Sequence, residues 1–288
     1  MIYIQQVGCI NYKDDESIDI KAQCKLIAPK FIRRTDDFIQ LAILGVEQIS
    51  RQQPINENCA LYLTSGQGNL GVFQRLCKQR LIEKSPPKPV DFINSLSNTA
   101  GFYISQFLNL NSKNSNLAHI SFVVEMALLL AKSDLLLGKE ESILLGGVDQ
   151  LLQPAEFSFN ALGLQQSTTL GQGSNWMLLN LNPKNALASI DLSNQEMNRK
   201  QLSDYLSQQQ SDYQLAFSLL INQHDIDNLL KETDRCMFKY EVETGFYETV
   251  VLYALNQFIL RGKGKLLFID FFCEKYRVIE IELVVKKQ

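Results

Sequence analysis

Short apolar runs alternate along the chain with longer stretches in which apolar residues recur at helical spacing, which is the pattern of an α/β protein. A helix with its N-cap at Thr35 is predicted to end near Ser50. Residues 59–64 form an apolar run typical of a buried strand, the glycine-rich residues 65–71 predict a loop, and a second helix is predicted over 72–84. The glycine loop therefore follows the carboxyl end of a buried strand.

The middle of the chain contains its most apolar helix. Helical spacing continues over residues 91–108, and residues 117–120 predict a short strand. Residues 122–137 are apolar on nearly every face of a helix, which indicates a helix buried on all sides rather than one that covers a sheet. A buried strand is predicted directly after it, over 142–148.

The second half repeats part of this order. The polar residues 194–213 predict an exposed helix and loop, a turn is predicted at His224 and Asp225, and an apolar helix is predicted over 247–260. Strands are predicted over residues 175–181, 215–221, 236–240, 265–272 and 277–285.

The apolar helices of the two halves resemble each other. Residues 127–138 are similar to residues 251–262, and both segments end in a glycine that precedes a short polar turn and a buried strand. Self-similarity of this kind indicates a duplicated architecture. We predict one α/β domain over 1–288, with layered sheets around two central buried helices, an N-terminal half of 1–174 and a C-terminal half of 175–288.

Composition and charge argue against several function classes. The chain has 28 basic and 31 acidic residues, a net charge of −3 and no long basic block, so we expect no nucleic-acid partner. Polar residues interrupt every strongly apolar run before it reaches the length of a membrane span, and no signal-peptide pattern follows Met1, so we expect a cytoplasmic protein. Six cysteines without a C-x-x-C pair, and only two histidines, indicate reduced thiols and no metal site.

One motif has the form of a nucleotide-binding site. Gly66, Gly68 and Gly71 follow a predicted strand and precede a predicted helix, as in the fingerprint of dinucleotide-binding folds. Those folds also need a second strand soon after the helix, and the proline-rich residues 84–89 do not allow one. A nicotinamide-dependent oxidoreductase is therefore a weak alternative, and we expect a structural glycine loop and no cofactor.

Several segments occur in an order that resembles a known family. In the first half they are Lys30-Phe-Ile-Arg-Arg-Thr-Asp-Asp-Phe-Ile-Gln-Leu-Ala42, Leu61-Tyr-Leu-Thr-Ser-Gly-Gln-Gly-Asn-Leu-Gly71, Phe92-Ile-Asn-Ser-Leu-Ser-Asn-Thr-Ala-Gly101 and Leu137-Gly-x4-Ile-Leu-Leu-Gly-Gly-Val-Asp149. In the second half they are Gly171-Gln-Gly-Ser-Asn-Trp-Met-Leu-Leu179 and Lys239 with Thr244-Gly245. Together these segments resemble the β-ketoacyl synthases of the thiolase fold.

The resemblance implies a catalytic site whose residues this sequence lacks. In that family a cysteine thiolate at the N-terminus of the first central helix attacks an acyl thioester, and two histidines assist it. The matching nucleophile position is Ser121, and no cysteine lies between Cys77 and Cys236. The first histidine position matches His224, which lacks the glycines of the family's turn, and the second matches Phe246. We therefore expect no catalytic residues.

A ketosynthase scaffold without its nucleophile resembles the chain length factors, and most of all those of aryl polyene biosynthesis. The resemblance implies a non-catalytic subunit that forms a heterodimer with an active ketosynthase and shapes the tunnel for a polyene or polyketide on an acyl carrier protein. It implies an interface across a pseudo-twofold axis through Leu117, Ala118, His119 and Ile120. Bulky rings close an apolar tube, so the tunnel candidates are Phe102, Tyr103, Phe107 and Phe122. The alternative for each ring, an ordinary place in the core, stays open.

An active enzyme is the competing interpretation. Neighbours two apart on a strand share a face, so His119 and Ser121 could form a pair that serves an acyl carrier protein acyltransferase or decarboxylase. The sequence shows no evident carboxylate to orient the imidazole, and a serine alkoxide forms less readily than a thiolate. The simpler expectation is that His119 packs or forms a hydrogen bond and that Ser121 caps the helix after it.

Overall fold

The computed structural model describes residues 1–13, 18–119, 121–152, 154, 159, 164, 168–193 and 195–284. The strands are β1 (Ile2–Lys13), β2 (Ala60–Ser65), β3 (Asn114–Ala118), β4 (Ser142–Asp149), β5 (Gly171–Asn180), β6 (Ala188–Leu192), β7 (Tyr213–Phe217), β8 (Lys265–Phe272) and β9 (Lys275–Leu283). The α-helices are α1 (Ile20–Ile27), α2 (Asp37–Ser50), α3 (Leu70–Cys77), α4 (Pro89–Asn94), α5 (Thr99–Leu108), α6 (Val123–Leu136), α7 (Arg199–Gln208), α8 (Gln223–Thr233) and α9 (Val250–Arg261). A π-helical turn, Lys78–Ile82, continues α3.

The strands form one hydrogen-bonded sheet in the order β3-β2-β4-β5-β1-β6-β9-β8-β7. The pairs β2 with β3, β2 with β4 and β7 with β8 are parallel, and the other pairs are antiparallel. The long strand β1 pairs with β5 over most of its length and with β6 through Ile2, Tyr3 and Ile4. Because of this double pairing, β1 joins the strands of the first half to those of the second.

The two faces of the strands contribute to different cores. In β2, Ala60 and Tyr62 belong to a central core that also contains α6 and α9, while Leu61 and Leu63 belong to a core with α2 and α5. This is the alternation expected of strands that are covered on both faces. The first half therefore has helices on both sides of its strands.

The second half shows the same arrangement. In β8, Leu266 and Phe268 face the central core, while Leu267 and Ile269 pack with α7 and α8. Helices α6 and α9 thus lie between the two groups of strands, and the remaining helices lie outside. The predicted layered α/β architecture with two central buried helices is confirmed.

The topology also indicates where the chain divides into its N-terminal and C-terminal halves. The first half runs from β1 to β5, and the second repeats most of the order from β6 to β9. Residue 174, the predicted end of the N-terminal half, lies inside β5, which pairs with β4 and β1. We propose the segment 181–187, between β5 and β6, as the boundary of the two halves.

Helix ends differ from the predictions where side chains bind the backbone. The N-cap of α2 is Asp36 rather than Thr35, because Asp36 Oδ1 accepts a hydrogen bond from Ile39 N at 3.1 Å. The helix predicted over 91–108 is two helices, α4 and α5. Helix α4 ends at Asn94, whose carbonyl accepts a hydrogen bond from the Asn69 side chain at 2.9 Å instead of continuing the helix.

Two further expectations need correction. The polar segment 194–213 contains α7, and its Leu202 and Leu206 are fully buried, so this helix is part of an outer layer and not a surface insert. The turn predicted at His224 and Asp225 is the first turn of α8, since Asn222 caps that helix through a hydrogen bond from Asp225 N at 2.9 Å. None of the helices in the described parts of the chain has the length and apolar character needed to span a bilayer.

Candidate functional site

A cavity of about 530 Å³ lies where the N-termini of α6 and α9 come together. Its walls come from the loop after β2, the first residues of α6 and α9, the segment after β7 and the end of β8. The aromatic lining residues are Phe122, Phe246, Phe271 and Phe272, and the polar ones are Gln67, Ser218, Glu248 and Asp270. The cavity therefore combines phenyl rings with carboxyl groups.

Phe122 occupies the start of α6. Its backbone is left-handed, with φ 50° and ψ 46°, and no side chain caps the helix there. Such a backbone is rare for a bulky residue and stores strain. The ring is buried between the guanidinium of Arg277, whose Cζ lies 5.4 Å from the ring centroid, and the ring of Phe272 at 6.4 Å. These contacts hold the Phe122 ring at the N-terminus of α6, and we call this ring the apolar plug.

Ser121 and His119 lie in the turn that precedes this plug. His119 is exposed, and its Nδ1 lies 3.5 Å from Ser121 Oγ, 3.2 Å from Ser121 N and 2.5 Å from Ser121 O. The imidazole thus binds mainly the backbone of Ser121. The expectation that Ser121 caps α6 is wrong, because the residue at the cap is Phe122.

The two positions matched to histidines lie far apart in the layers of the fold. Phe246 is buried, lines the cavity and is fixed by a backbone hydrogen bond to Thr169 O at 2.8 Å. His224 is exposed on the outer helix α8, with its Nε2 3.1 Å from Asn228 Nδ2. The structure brings Phe246 together with Phe122 and leaves His224 outside the site.

All six cysteines are described, and none is among the residues that line the cavity. Burial raises the pKa of Cys9 to about 12 and that of Cys24 to about 11. Cys77 is half-buried at the end of α3, while Cys236 and Cys273 are exposed. All six are free thiols.

A pair of buried carboxyl groups lies beside the start of α6. Glu125 is fully buried, and its carboxyl group is in contact with that of Asp270. Burial raises its pKa well above the usual range, and the charge of the adjacent Asp270 adds to this effect. Burial raises the pKa of Asp270, and hydrogen bonds from Ser218 and from Phe271 N at 2.9 Å oppose this effect. Arg277 lies opposite Asp270 in the β8–β9 ladder.

A second carboxyl pair lies at the start of α9. Asp149 is buried and accepts hydrogen bonds from Ser65 Oγ at 2.7 Å, Gly66 N at 3.0 Å and Thr249 N at 2.8 Å. Burial raises the pKa of the neighbouring Glu248 to about 8, and the charge of Asp149 contributes. Glu248 lines the cavity.

The structure explains why two positions of the glycine loop are occupied by glycine. A Cβ on Gly66 would lie 2.1 Å from Glu248 Cδ, so only glycine fits beside that carboxyl group. Gly68 has a φ of +58°, which favours glycine over other residues. A Cβ on Gly71 would have no contact closer than 3.6 Å. The loop therefore packs against Glu248 at the edge of the cavity.

The predicted interface residues lie on and after β3, which is the edge strand at one end of the sheet. Leu117 is half-buried, Ala118 and His119 are exposed, and Ile120 lies outside the described residues. Helix α5 packs beside β3, since a Cβ on Gly101 would lie 2.5 Å from Asn114 Oδ1. Strand β3 was predicted over 117–120 and is observed three residues earlier.

The predicted tunnel residues fall into two groups. Phe122 lines the cavity, while Phe102, Tyr103 and Phe107 lie on α5. Phe102 is 55% exposed, and its ring contacts that of Tyr103 at 5.4 Å. Tyr103 and Phe107 are partly buried against the core of α2. The structure thus separates one candidate in the cavity from three beside the edge strand.

The described lining of the cavity offers apolar surface and hydrogen-bonding groups. As far as it is described, the lining offers phenyl rings, carboxyl groups and an amide, with no thiol or imidazole. Its hydroxyl, Ser218, is engaged with Asp270. The arrangement can hold an apolar molecule and form hydrogen bonds to it.

Sequence reasoning missed both carboxyl pairs. Glu125 is the one polar residue among the apolar residues 123–131 at the start of α6, and that isolation is a signal for a buried ionisable group. Asp149 and Thr249 are remote in sequence, and Glu248 meets Gly66 only in the fold. Contacts between residues so far apart leave no pattern in the local sequence.

Comparisons with known proteins add to this geometry. By sequence, the chain matches no protein-family model and no curated protein. Among solved structures it is similar to the ishigamide ketosynthase/chain length factor, with a TM-score of 0.75 and 13% identity over 98% of this chain and 99% of that one. It is also similar to AntDE:AntF, a type II polyketide synthase acyl-carrier protein in complex with its ketosynthase bound to the hexaketide, with a TM-score of 0.69 and 11% identity over 98% and 99% of the two chains.

A third similar structure is the ketosynthase ApeO in complex with its chain length factor ApeC from Xenorhabdus doucetiae. The TM-score is 0.58, and the identity is 14% over 96% of this chain and 98% of that one. Identities this low establish the fold and leave the activity open. The chain therefore has the fold of these ketosynthase and chain length factor structures.

Proposed function

We propose that this protein is a non-catalytic chain length factor, which pairs with an active β-ketoacyl synthase and shapes the tunnel for the growing acyl chain. The observation that carries the proposal is the buried ring of Phe122 at the start of α6. In the family that the sequence resembles, a thiolate occupies the N-terminus of this helix. A phenyl ring there can neither attack a thioester nor use the helix dipole.

A second residue of the cavity lining supports the same proposal. Phe246 matches the second histidine position and lines the cavity that Phe122 lines. Two positions that would carry polar chemistry in an active ketosynthase thus hold phenyl rings. Hydrophobic rings stabilise the scaffold while they remove the groups that the reaction needs.

Pairing is supported by the edge of the sheet. Among the described residues, strand β3 pairs on one side only, and the neighbouring segment exposes Phe92, Ile93, Leu96 and Phe102 by 59%, 51%, 48% and 55%. Edge strands and exposed apolar surface are normally covered by a partner. We place the ketosynthase on this surface, where Phe102, Tyr103 and Phe107 would meet the tunnel between the subunits.

Co-purification tests the pairing. The chain is co-expressed with a ketosynthase encoded beside its gene, and we expect one stable complex. Phe102→Glu should abolish it without changing the unfolding midpoint, because the ring is already exposed in the isolated chain. Leu260→Glu, at a residue 60% exposed near the end of α9, is the matched control and should leave the complex intact. Two separate proteins that are each fully active would overturn the proposal.

Mass spectrometry tests the lack of catalysis. The chain is incubated with acyl and malonyl carrier protein, and we expect no covalent adduct and no decarboxylation. The His119 and Ser121 geometry makes Ser121 the residue to examine for the competing acyltransferase or decarboxylase activity. An adduct on Ser121 that Ser121→Ala removes would establish that enzyme and contradict our proposal.

The product class is the finer part of the proposal. The sequence resemblance favours an aryl polyene pathway in the cytoplasm, with an acyl carrier protein that delivers the chain to the complex. Product analysis of the reconstituted complex tests this assignment. Saturated or polyketide products in place of polyenes would contradict it and leave the pairing unaffected.

A further inference from the structure

A small cavity beside the edge strand β3 is lined by three asparagines whose amide oxygens lack partners. Its volume is about 60 Å³, and its walls come from α2, β2, the loop after β2, the segment between α4 and α5, and β3. Asn69, Asn94 and Asn116 line it, and the Oδ1 atom of each is buried without a hydrogen-bond partner among the described residues. Buried acceptors without donors are costly, so three of them around one cavity indicate that a donor is missing.

The hydrogen bonds of two of these asparagines fix the direction of their amides. Asn69 Nδ2 donates to Asp36 Oδ2 and, at 2.9 Å, to Asn94 O. Asn94 is only 3% exposed, and its Nδ2 donates to Arg34 O at 3.0 Å. A half turn of either amide would place its oxygen against a carboxyl or carbonyl oxygen. The two Oδ1 atoms therefore remain available as acceptors.

The third amide lies between the edge strand and α5. Asn116 Nδ2 donates to Asn114 Oδ1 at 3.2 Å, which leaves Asn116 Oδ1 as the free acceptor. A Cβ on Gly101 of α5 would lie 3.0 Å from Asn116 Oδ1. Because glycine has no side chain, α5 brings no polar group to this oxygen from that position.

The cavity opens on the surface where we place the partner subunit. Leu96 lines the cavity and is 48% exposed, and the lining residues Leu117 and Ala118 belong to β3. The described lining contains no basic side chain. The isolated chain therefore presents acceptors on its pairing surface without a cationic donor to satisfy them.

We propose that a lysine of the partner ketosynthase inserts its ammonium group into this cavity and donates to the amide oxygens. An ammonium group has three donors and no acceptor, and it ends a slender apolar stem that can pass along Leu96. Hydrogen bonds from a charged donor are stronger than those between neutral groups. This inference rests on the proposed pairing and adds the contact by which the partner is recognised.

Lysine labelling of the heterodimer tests the contact. The free ketosynthase and its complex with this chain are treated with acetic anhydride, and mass spectrometry measures the acetylation rate of each lysine. We expect at least one ketosynthase lysine to react at least about ten-fold more slowly in the complex, because an inserted ammonium group is shielded from the reagent. In a complex formed with Asn116→Leu, which removes one acceptor, the same lysine should recover most of its reactivity.

A double-mutant cycle shows whether the lysine and Asn116 act together. Asn116→Leu should raise the Kd of the complex about ten-fold, the protected lysine replaced by methionine should do the same, and the two changes combined should add little more. Asn228→Leu, at another half-buried asparagine on the outer helix α8, is the matched control and should leave the Kd unchanged. Asn116→Ser provides a second variant if Asn116→Leu does not fold.

The outcomes separate this contact from the pairing function. A complex in which no ketosynthase lysine is protected, or in which the protection does not depend on Asn116, keeps the pairing and overturns the lysine contact. Solvent or a different donor would then occupy the cavity. Additive losses in the double variant would overturn the contact as well. If the two chains form no complex, both proposals fail.

Discussion

The two central helices begin in different ways, although they occupy equivalent places in the two halves. At the start of α9, Thr249 N donates a hydrogen bond to Asp149, a residue at the end of β4. At the start of α6, Phe122 offers no side-chain acceptor and is held by stacking with Arg277 and Phe272. One helix N-terminus is fixed by a polar group from the other half, and the other is closed by a ring.

The difference bears on the proposed lack of catalysis, because the two helix starts use their backbone N–H groups differently. The free N–H groups at a helix N-terminus need acceptors or solvent, and a nucleophile can use the same positive end of the helix. At the start of α9, Asp149 at the end of β4 accepts the hydrogen bond from Thr249 N, and we call this contact the polar joint. The start of α6 is closed by the Phe122 ring, and in the proposed heterodimer the partner subunit supplies the chemistry.

The largest expected effect concerns the polar joint. Asp149→Ala leaves Ser65 Oγ, Gly66 N and Thr249 N without their acceptor, and we expect it to lower the free energy of unfolding by roughly 3–5 kcal/mol. Urea denaturation measures the change, and Asp149→Asn gives a milder version if the alanine variant does not fold. Asp37→Ala, which removes an exposed first-turn acid from α2, is the control and should lower it by about 0.5 kcal/mol. Similar losses in Asp149→Ala and Asp37→Ala would show that the joint is unimportant.

The next effect concerns the apolar plug. Phe122→Ala removes a buried ring and should lower the free energy of unfolding by about 3 kcal/mol. Phe122→Gly should be about 1 kcal/mol more stable than Phe122→Ala, because glycine tolerates the left-handed backbone at this position. Thermal or urea unfolding compares the two variants.

A matched pair one residue later tests the cause. Val123 is the first residue of α6, so Val123→Gly should be about 1 kcal/mol less stable than Val123→Ala. The alanine variant should therefore be the less stable of the two at position 122 and the more stable of the two at position 123. The same order at both positions would contradict a left-handed Phe122.

A third, smaller effect depends on pH. The pKa of Glu248 is about 8 in the folded chain and usually 4.5, so the folded state keeps a proton that the unfolded state releases between these values. The free energy of unfolding should therefore decrease as pH rises from about 5 to 8. Glu248→Gln should remove this part of the slope, and Glu141→Gln should retain it. Urea denaturation at several pH values measures both, and parallel slopes in the wild type and Glu248→Gln would refute the raised pKa.

The smallest effect concerns the carboxyl group behind the plug. Glu125 is fully buried beside Asp270, and Glu125→Leu replaces one of two adjacent buried carboxyl groups with an apolar side chain, so it should raise the free energy of unfolding by about 1 kcal/mol. Glu125→Gln keeps a buried polar group and should gain less. Urea denaturation at neutral pH compares the variants, and a loss of stability in Glu125→Leu would mean that the carboxyl group has a stabilising partner.

The sequence predicted the layers of this fold better than it predicted the site. Apolar residues on nearly every face of α6, and their resemblance to those of α9, placed both helices in the centre. Those patterns are local and repeat within each half. They also placed the glycine loop correctly after β2.

The misplaced features depend on contacts between distant segments. The residue at the helix start is Phe122 and not Ser121, because Arg277 and Phe272 from β8 and β9 stabilise the ring there. The break between α4 and α5 depends on Asn69. Such partners leave no periodic signal in the sequence, so their effects appear only once the chain has folded.

Strand β1 has a consequence for how the molecule assembles during synthesis. It leaves the ribosome early, yet its partners β5 and β6 are complete only when the chain has reached Leu192. Pairing between such remote segments is slow, and the exposed strand is open to wrong partners in the meantime. Expression yield should therefore respond to mutations in β1 and to chaperone supply more strongly than equilibrium stability does.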